Sequence, residues 1–225
     1  MPIYQLEDRG VENKLTFFHV HIPKTAGTML EHFFHSIGLR HYGAGPEYMF
    51  ARPYLKCPPN HYDMKILEQL FFFEKLYSFA IVREPVKRFF SQYQWAISNK
   101  CKGHAYFERM TFEDFVIDSF EKYSSDEYYL ANYIKPQHHF IPEKVNRIFK
   151  IEDGLENAIR TVFNDLQIKI KSRNKETDVE ILDDGWKFPR TWTSKPYNKD
   201  LVNDNTVKLI KEFYKEDYEK FGYEL

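Results

Sequence analysis

The sequence predicts an α/β domain of three layers, in which a central, mainly parallel sheet is flanked by helices. Two observations predict this class. Short runs rich in β-branched and aromatic residues recur along the chain, and amphipathic helical patterns follow them. Such alternation of strand and helix is typical of a parallel sheet. Because no repeat or linker interrupts the 225 residues, we expect one domain over residues 1–225.

The first predicted strand covers residues 15–22, where LTFFHVHI is rich in residues that favour a buried strand. Apolar side chains then recur at helical spacing over 29–37, which predicts a helix. Residues 39–63 contain several Gly and Pro and are expected to form a loop. A short helix is predicted over 64–75.

The second predicted strand, 77–83, is the apolar run YSFAIVR. Pro85 is suited to the first position of a helix, because the missing N–H has no partner there, and a helix is predicted over 85–98. Further helices are predicted over 111–120, with Thr111 as the cap, and over 126–135.

The third predicted strand covers 145–151, and a helix over 154–165 follows it. Residues 171–198 are polar and irregular in pattern. The last predicted helix runs from about residue 200 to 220, with apolar residues on one side.

Composition narrows the classes of function. Formal net charge is −1, so a broadly basic surface for nucleic acid is not indicated. Only two cysteines occur, Cys57 and Cys101, which is too few for a disulfide framework, and no metal-ligand residues cluster around them. We therefore expect two free thiols, with one bridge between them as the open alternative, and no metal site.

Targeting signals are not evident in the sequence. No apolar run approaches the roughly 20 residues of a membrane span, and the polar start MPIYQLEDRGVENK does not have the pattern of a signal peptide. The expected location is the cytoplasm, or the Golgi lumen if the chain is a catalytic domain trimmed of an anchor. The oligomeric state is not predicted.

The segment HIPKTAGT, residues 21–28, has the build of a phosphate-binding loop. A strand that turns tightly into a helix directs several backbone N–H groups at one point, and the helix dipole adds to their attraction for an anion. Gly27 would allow close approach of the ligand, Thr25 and Thr28 would add hydroxyl donors, and Lys24 a cation. The loop is only P-loop-like, because Lys24 precedes the glycine, whereas the lysine of G-x-x-x-x-G-K-[ST] follows it.

A second segment, IVREPVKRFFSQY, carries a further anion-binding pattern. Arg83 ends the second predicted strand, and Ser91 lies on the helix that follows. Ligands of open parallel sheets bind in the crevice beyond the carboxyl ends of the strands. Lys24 and Arg83 are therefore expected to face one crevice, as a ligand with phosphates at two separate places would require.

Together the two segments resemble the carbohydrate sulfotransferases that use 3′-phosphoadenosine 5′-phosphosulfate (PAPS). HIPKTAGT is similar to the family's 5′-phosphosulfate loop. VREPVKRFFSQY is similar to its 3′-phosphate segment, in which a Ser follows the Arg by eight positions. Weaker similarities are found in NYIKPQHHFI, FKIEDGLE and the ending EFYKEDYEKFGYEL.

The resemblance implies a set of binding residues and a reaction. The residues implied to bind the 5′-phosphosulfate are Lys24, Thr25, Ala26, Gly27 and Thr28. Arg83 and Ser91 would bind the 3′-phosphate, and TSKPYNK, residues 193–199, would close over the nucleotide through Ser194 and Lys195. The implied reaction transfers the sulfuryl group in line from PAPS to a hydroxyl of a carbohydrate or other glycan-like acceptor, without a metal. Lys24 would offset the charge that develops on the leaving phosphate.

The acceptor hydroxyl must lose a proton, so a general base is required. His61 is the first candidate, because the stretch before Arg83 weakly resembles the part of the hexuronic 2-O-sulfotransferase branch that contains a catalytic histidine. A loop histidine without a catalytic role is the open alternative. His21 is expected to orient the phosphate loop. The alternative carboxylate bases are Glu47, Asp63 and Glu84.

Two other functions remain open from the sequence. A kinase that uses Mg-ATP would need an acidic metal ligand near a strand end, which Glu152 or Asp153 could imitate. A member of the family that binds nucleotide or glycan without catalysis is the other alternative. Lys24, Arg83 and Ser91 are all present, so no residue marks the site as degenerate.

Overall fold

The computed structural model describes residues 3–6, 15–37, 39–42, 56–70, 75–98, 104–168 and 197–225. Within them, five strands form one sheet. The strands are β1 (Ile3–Leu6), β2 (Leu15–Val20), β3 (Leu39–Tyr42), β4 (Tyr77–Val82) and β5 (Arg147–Lys150).

The strand order is β3-β1-β2-β4-β5. The pairs β2–β4 and β4–β5 are parallel, and β1 pairs antiparallel with both β2 and β3. Four of these five strands therefore run in the same direction, and β1 runs in the opposite direction. The predicted α/β class with a mainly parallel central sheet is confirmed. The sequence did not reveal β1, and the loop predicted over 39–63 is wrong at β3.

Eight α-helices lie within the described residues. They are α1 (Gly27–Ser36), α2 (Met64–Leu70), α3 (Pro85–Ala96), α4 (His104–Phe107), α5 (Phe112–Ser125), α6 (Leu155–Asp165), α7 (Asp204–Phe213) and α8 (Lys215–Phe221). None of the helices in this part of the chain is long and apolar enough to cross a membrane. Thr111 caps α5 as predicted, and its hydroxyl accepts a hydrogen bond from the backbone N–H of Asp114.

The two faces of the sheet are covered by different helices, which gives the three layers. Phe17 and Phe79 lie on one face and pack with the apolar sides of α1 and α6. The alternate residues Phe18 and Ala80 lie on the other face and pack with Leu67 of α2. Successive side chains of a strand point to opposite faces. Because both faces are covered, apolar residues occur at both registers of β2 and β4.

Two predicted helices differ from the structure. The stretch 126–135 contains no α-helix, and its residues Leu130, Ala131 and Asn132 have left-handed backbone conformations. The helix predicted over 200–220 is divided into α7 and α8 at Tyr214. The hydroxyl of Tyr214, which is buried, donates a hydrogen bond to the carbonyl of Ile134, so a tertiary contact fixes the break.

Candidate active site

The phosphate-like loop connects β2 to α1 through residues 21–26. Lys24 and Ala26 have φ angles of 71° and 72°, the left-handed region, on either side of Thr25. Alternation of this kind makes a concave arrangement of backbone N–H groups that suits an anion. The hydroxyl of the buried Thr25 donates to the carbonyl oxygen of Ile22 at 2.8 Å. This hydroxyl therefore stabilises the loop, whereas the sequence had suggested a donor to the ligand.

Helix α1 begins at Gly27, directly after this loop. Its first turn contains no acidic residue, and Ala26 provides no side-chain cap. The N–H groups of a first turn have no partner within the helix, and the helix dipole makes this end attractive to an anion. Thr28, the second residue of α1, is exposed here. The loop and the helix end therefore form one anion-binding element.

Gly27 is needed for a neighbouring side chain. A Cβ atom at this position would lie 2.3 Å from Cε1 of His21 and 2.4 Å from its Nε2. His21 is buried, and its Nδ1 lies 3.3 Å from Oε1 of Glu31. The glycine thus admits the imidazole ring under the loop. The role of His21 in orienting the loop stays a prediction.

Arg83 connects the second anion-binding segment to the first. It follows β4, and its Nη1 donates to the carbonyl oxygen of Lys24 at 3.3 Å. Since β2 and β4 are adjacent and parallel, their carboxyl ends lie side by side. Burial lowers the pKa of the Arg83 guanidinium, while Glu152 and Glu84 raise it. The two residues that the sequence assigned to one crevice are therefore in direct contact.

The backbone of Arg83 is held by Gln137, which the sequence did not single out. The N–H of Arg83 donates to Oε1 of Gln137, and Nε2 of Gln137 donates to the carbonyl of Arg83, each at 2.9 Å. Gln137 is held in turn by Asp217 of α8, which accepts its backbone N–H at 2.8 Å. Asp217 also accepts from the backbone N–H and Nδ1 of His138. The C-terminal helix thus supports the strand end that carries Arg83.

Helix α3 begins at this strand end. The side chain of Glu84 caps it by accepting hydrogen bonds from the N–H groups of Val86 and Lys87. Ser91 lies further along α3 and is buried. No direct contact joins Ser91 to Arg83 in the hydrogen bonds of the described residues, so its phosphate-binding role stays a prediction.

Arg88, also on α3, is buried and ties the loop to the segment after α5. Its Nε donates to the carbonyl of Pro23 at 3.0 Å. Its Nη2 donates to the carbonyls of Tyr133 and Lys135 at 3.1 and 2.9 Å. Burial lowers the pKa of this guanidinium. Because these carbonyls occupy its donors, Arg88 serves the architecture of the site.

His61 lies in the short 3₁₀ turn Pro59–His61 and is 4% exposed. Its Nδ1 lies 3.0 Å from the carbonyl oxygen of Ala131, and its ring centroid is 5.6 Å from that of His21. Burial lowers the pKa of His61 well below its usual value, and the charges of His21 and Lys24 lower it further. The imidazole is therefore neutral at neutral pH, as a general base must be.

An aromatic pair connects Lys24 with His61. The Nζ of Lys24 lies 5.7 Å from the ring centroid of Trp95. Trp95 stacks on Tyr133 with 4.9 Å between ring centroids, and Tyr133 meets His61 edge to face at 4.5 Å. The four side chains form a continuous row, with the candidate base at one end and the loop lysine at the other.

The remaining candidates have other partners or positions. Asp63 forms a buried ion pair with Lys135, so it is committed to a structural contact. Glu152 accepts hydrogen bonds from the N–H of Glu84 and the hydroxyl of Tyr223. The described residues contain no group of three or more His, Cys, Asp and Glu side chains that could hold a metal ion. Four residues named in the sequence analysis lie outside the described residues: Glu47, Cys101, Ser194 and Lys195.

Comparison with known proteins identifies the family. The model of the sulfotransferase family matches residues 10–224, nearly the whole chain. Searches of curated proteins and of solved structures gave no match. The match covers the loop from β2, the segment that begins at Arg83 and the C-terminal helix that supports it. The chain therefore belongs to the sulfotransferase family.

Proposed function

We propose that the protein is a PAPS-dependent sulfotransferase that acts, as one domain, on a hydroxyl of a carbohydrate or other glycan-like acceptor. Transfer of a sulfuryl group is the chemistry of the family. The donor and the acceptor class are our proposal. The observation that carries it is the contact between Arg83 Nη1 and the carbonyl of Lys24, which brings two anion-binding segments together at one sheet edge.

The two segments suit a nucleotide that is phosphorylated at two positions. The loop and the start of α1 offer backbone N–H groups and Lys24 to the 5′-phosphosulfate. Arg83, with Ser91 further along α3, offers a guanidinium and a hydroxyl to the 3′-phosphate. A nucleotide without a 3′-phosphate, such as ATP, would offer no phosphate to the Arg83 guanidinium at this position.

The reaction asks for two further roles. Lys24 would offset the negative charge that develops on the leaving 5′-phosphate oxygen. His61, neutral because it is buried, would accept the proton of the acceptor hydroxyl as the new S–O bond forms. The bond between sulfur and the 5′-phosphate oxygen breaks in the same step, and adenosine 3′,5′-bisphosphate leaves.

The Trp95–Tyr133 pair favours a carbohydrate acceptor. An acceptor hydroxyl placed between Lys24 and His61 would bring the rest of its molecule close to these rings. A sugar presents an apolar face of C–H groups beside its hydroxyls, and aromatic rings provide a large apolar surface with defined geometry. Both rings are partly exposed.

Ligand-induced thermal stabilisation tests the donor. Adenosine 3′,5′-bisphosphate should raise the melting temperature, and 5′-AMP, which lacks the 3′-phosphate, should do so much less. Arg83→Ala should remove the difference between the two ligands, while Arg147→Ala, an exposed arginine at the start of β5, should keep it. Stabilisation by Mg-ATP and none by the bisphosphate would instead support a kinase.

Transfer assays with labelled PAPS and a panel of glycan acceptors test the reaction. Lys24→Ala should lower the rate by about 10²–10³-fold, the effect of losing one group that stabilises developing charge. Lys208→Ala, on the exposed side of α7, is the matched control. Full activity of Lys24→Ala would contradict the assigned role, and binding without transfer to any acceptor would favour a non-catalytic member.

A further inference from the structure

Three successive residues near the site have a left-handed backbone without any glycine. Leu130, Ala131 and Asn132 have φ angles of 52°, 54° and 67°. L-amino acids rarely adopt this region, and consecutive examples are rarer still. Within the described residues six non-glycine residues have positive φ, and five of them lie in this turn or in the phosphate loop. Backbone strain of this kind concentrates at functional sites.

This left-handed turn, residues 130–132, is directed at His61. The carbonyl oxygen of Ala131 lies 3.0 Å from Nδ1 of His61. The Nδ2 of Asn132 donates to the backbone carbonyl of His61 at 2.9 Å. Tyr133, the next residue, places its ring edge to face with the imidazole. Three consecutive residues therefore hold the backbone, one ring nitrogen and one side of the same histidine.

The contact at Nδ1 determines the tautomer. A carbonyl oxygen can only accept a hydrogen bond, so Nδ1 must carry the hydrogen. In a neutral imidazole the other nitrogen, Nε2, is then the acceptor. The contact thus leaves His61 with its basic nitrogen at Nε2.

The side chain of Asn132 is enclosed beside His61 and Cys57. It is completely buried, and its Nδ2 also approaches Sγ of Cys57 at 3.4 Å. Its Oδ1 accepts no hydrogen bond in the part of the chain that the structure describes. A buried amide with an unsatisfied oxygen is costly, so the donor at Nδ2 is the part that the structure uses.

The residues that follow the turn are anchored by Arg88 and by an ion pair. Arg88 donates to the carbonyls of Tyr133 and Lys135, and Lys135 forms its buried ion pair with Asp63. These contacts fix the residues that follow the turn. A strained conformation persists only when its surroundings impose it in this way.

We propose that Asn132 and the left-handed turn 130–132 form a positioning device that holds His61 in the Nδ1–H tautomer with Nε2 ready to accept a proton. The use of that proton acceptor in sulfuryl transfer rests on the proposed function. The orientation of His61 by the turn does not, and the two are tested separately.

Histidine ¹⁵N NMR on the full-length, ligand-free protein tests the device, with His61→Gln used to assign the resonances. Wild-type His61 should show a protonated Nδ1 and an unprotonated Nε2. Asn132→Gly keeps a residue suited to positive φ and removes the side chain with its amide, so His61 should then show mixed tautomers and titrate closer to an ordinary histidine. Asn157→Gly, which removes an exposed amide donating to the carbonyl of Asp153, is the control.

Several neighbouring groups can influence the titration of His61. They are His21 beside its ring, Lys24 in the loop and Cys57, whose thiol approaches the His61 carbonyl at 3.5 Å. Burial raises the pKa of Cys57 to about 12, so the thiol stays protonated throughout. Titration of His21 would be followed in the same spectra.

Two results would overturn the proposal. One is a wild-type His61 protonated at Nε2, and the other is a folded Asn132→Gly protein whose His61 keeps its tautomer and titration. If Asn132→Gly does not fold, Asn132→Asp can be used, because it retains the shape of the side chain and places an oxygen against the His61 carbonyl. A mixture of His61 tautomers is again expected. A separate transfer assay of His61→Gln decides the base role: full activity would remove that role and leave the positioning result intact.

Discussion

At the scale of single residues, two residues of the phosphate-binding pattern, Thr25 and Gly27, stabilise the conformation of the loop. Thr25 uses its hydroxyl to hold the carbonyl of Ile22, and Gly27 leaves room for the ring of His21. Neither role follows from a comparison with phosphate-binding patterns. Both roles concern the shape of the loop before any ligand binds.

Gly27→Ala should therefore destabilise the fold. The new methyl group would overlap the buried ring of His21, and overpacking of this kind costs about 1–3 kcal/mol. Urea denaturation measures the free energy of unfolding. The double variant His21→Ala/Gly27→Ala should recover part of the loss relative to the sum of the single changes. Strict additivity would show that the ring is not the cause.

His61 should make stability depend on pH in a defined window. Its folded pKa lies below the unfolded value of about 6.5, so the unfolded chain binds more protons below that pH. The contribution is complete above about pH 6.5 and is lost as the pH falls towards the folded pKa, by at most about 1.4 kcal/mol per pH unit for one group. Urea denaturation from pH 7.5 to 5 measures it.

His61→Gln should flatten this dependence below pH 6.5, because the group that must remain neutral is gone. His32→Gln, at an exposed position of α1, should leave the slope as it is in the wild type. An equal slope in wild type and His61→Gln would mean that other groups determine the acid sensitivity. Burial also lowers the pKa of His139, so some slope should remain in every variant.

At the scale of elements, the end of β4 is fixed by a side chain that belongs to neither anion-binding segment. Gln137 bonds to both backbone groups of Arg83, much as a neighbouring strand would. The 3₁₀ turn Gln137–Phe140 therefore extends the support of the sheet beyond its last residue. The backbone of Arg83, which directly follows β4, is therefore held in a fixed position.

Gln137→Ala should weaken binding of adenosine 3′,5′-bisphosphate by about tenfold or more, since it removes two hydrogen bonds worth about 1 kcal/mol each from the backbone of Arg83. Isothermal titration calorimetry measures the affinity. Gln69→Ala is a matched control, because its Nε2 also donates to a backbone carbonyl but at an exposed position of α2. Unchanged affinity in a folded Gln137→Ala protein would exclude the clamp.

The sequence allowed correct prediction where local pattern and local structure coincide. The apolar runs at β2, β4 and β5 and the helices that follow them were predicted close to their observed positions. The helix predicted over 126–135 is wrong. The apolar spacing of the segment is helical, whereas contacts with His61 and Arg88 impose a left-handed turn. Likewise β1 and β3 are four residues each, and their pairing depends on partners distant in the sequence.

For the site, the sequence indicated the residues proposed to bind the ligand. It did not indicate the residues that position these binding residues. Lys24 and Arg83 belong to recognisable patterns, and the structure places them in contact. Gln137, Asp217 and Asn132 act through backbone groups of other residues, and such partners leave no fixed spacing to detect. The stretch NYIKPQHHFI resembles a segment of the family, but the resemblance does not predict the roles of Asn132 and Gln137 within it.

At the scale of the whole molecule, contacts run from the crevice to the far end of the chain. Arg83 rests on Gln137, Gln137 on Asp217, and Asp217 lies on α8. Binding of adenosine 3′,5′-bisphosphate should therefore slow amide hydrogen exchange at Gln137 and His138 and in α8, as well as in the loop. Mass spectrometry with and without the ligand measures it. Protection limited to residues 21–28, with α8 as unaffected as α5, would contradict the coupling.

The position of Asp217 has a consequence for biosynthesis. A ribosome delivers the chain from its N-terminus, so the two anion-binding segments emerge long before α8. Until Asp217 arrives, Gln137 lacks the carboxylate that fixes it, and the backbone of Arg83 lacks its clamp. Chains that end before α8 would thus carry both anion-binding segments, and we expect them to bind the nucleotide more weakly than the full chain. On the proposed function, full affinity for the donor would require that α8 has already been synthesised.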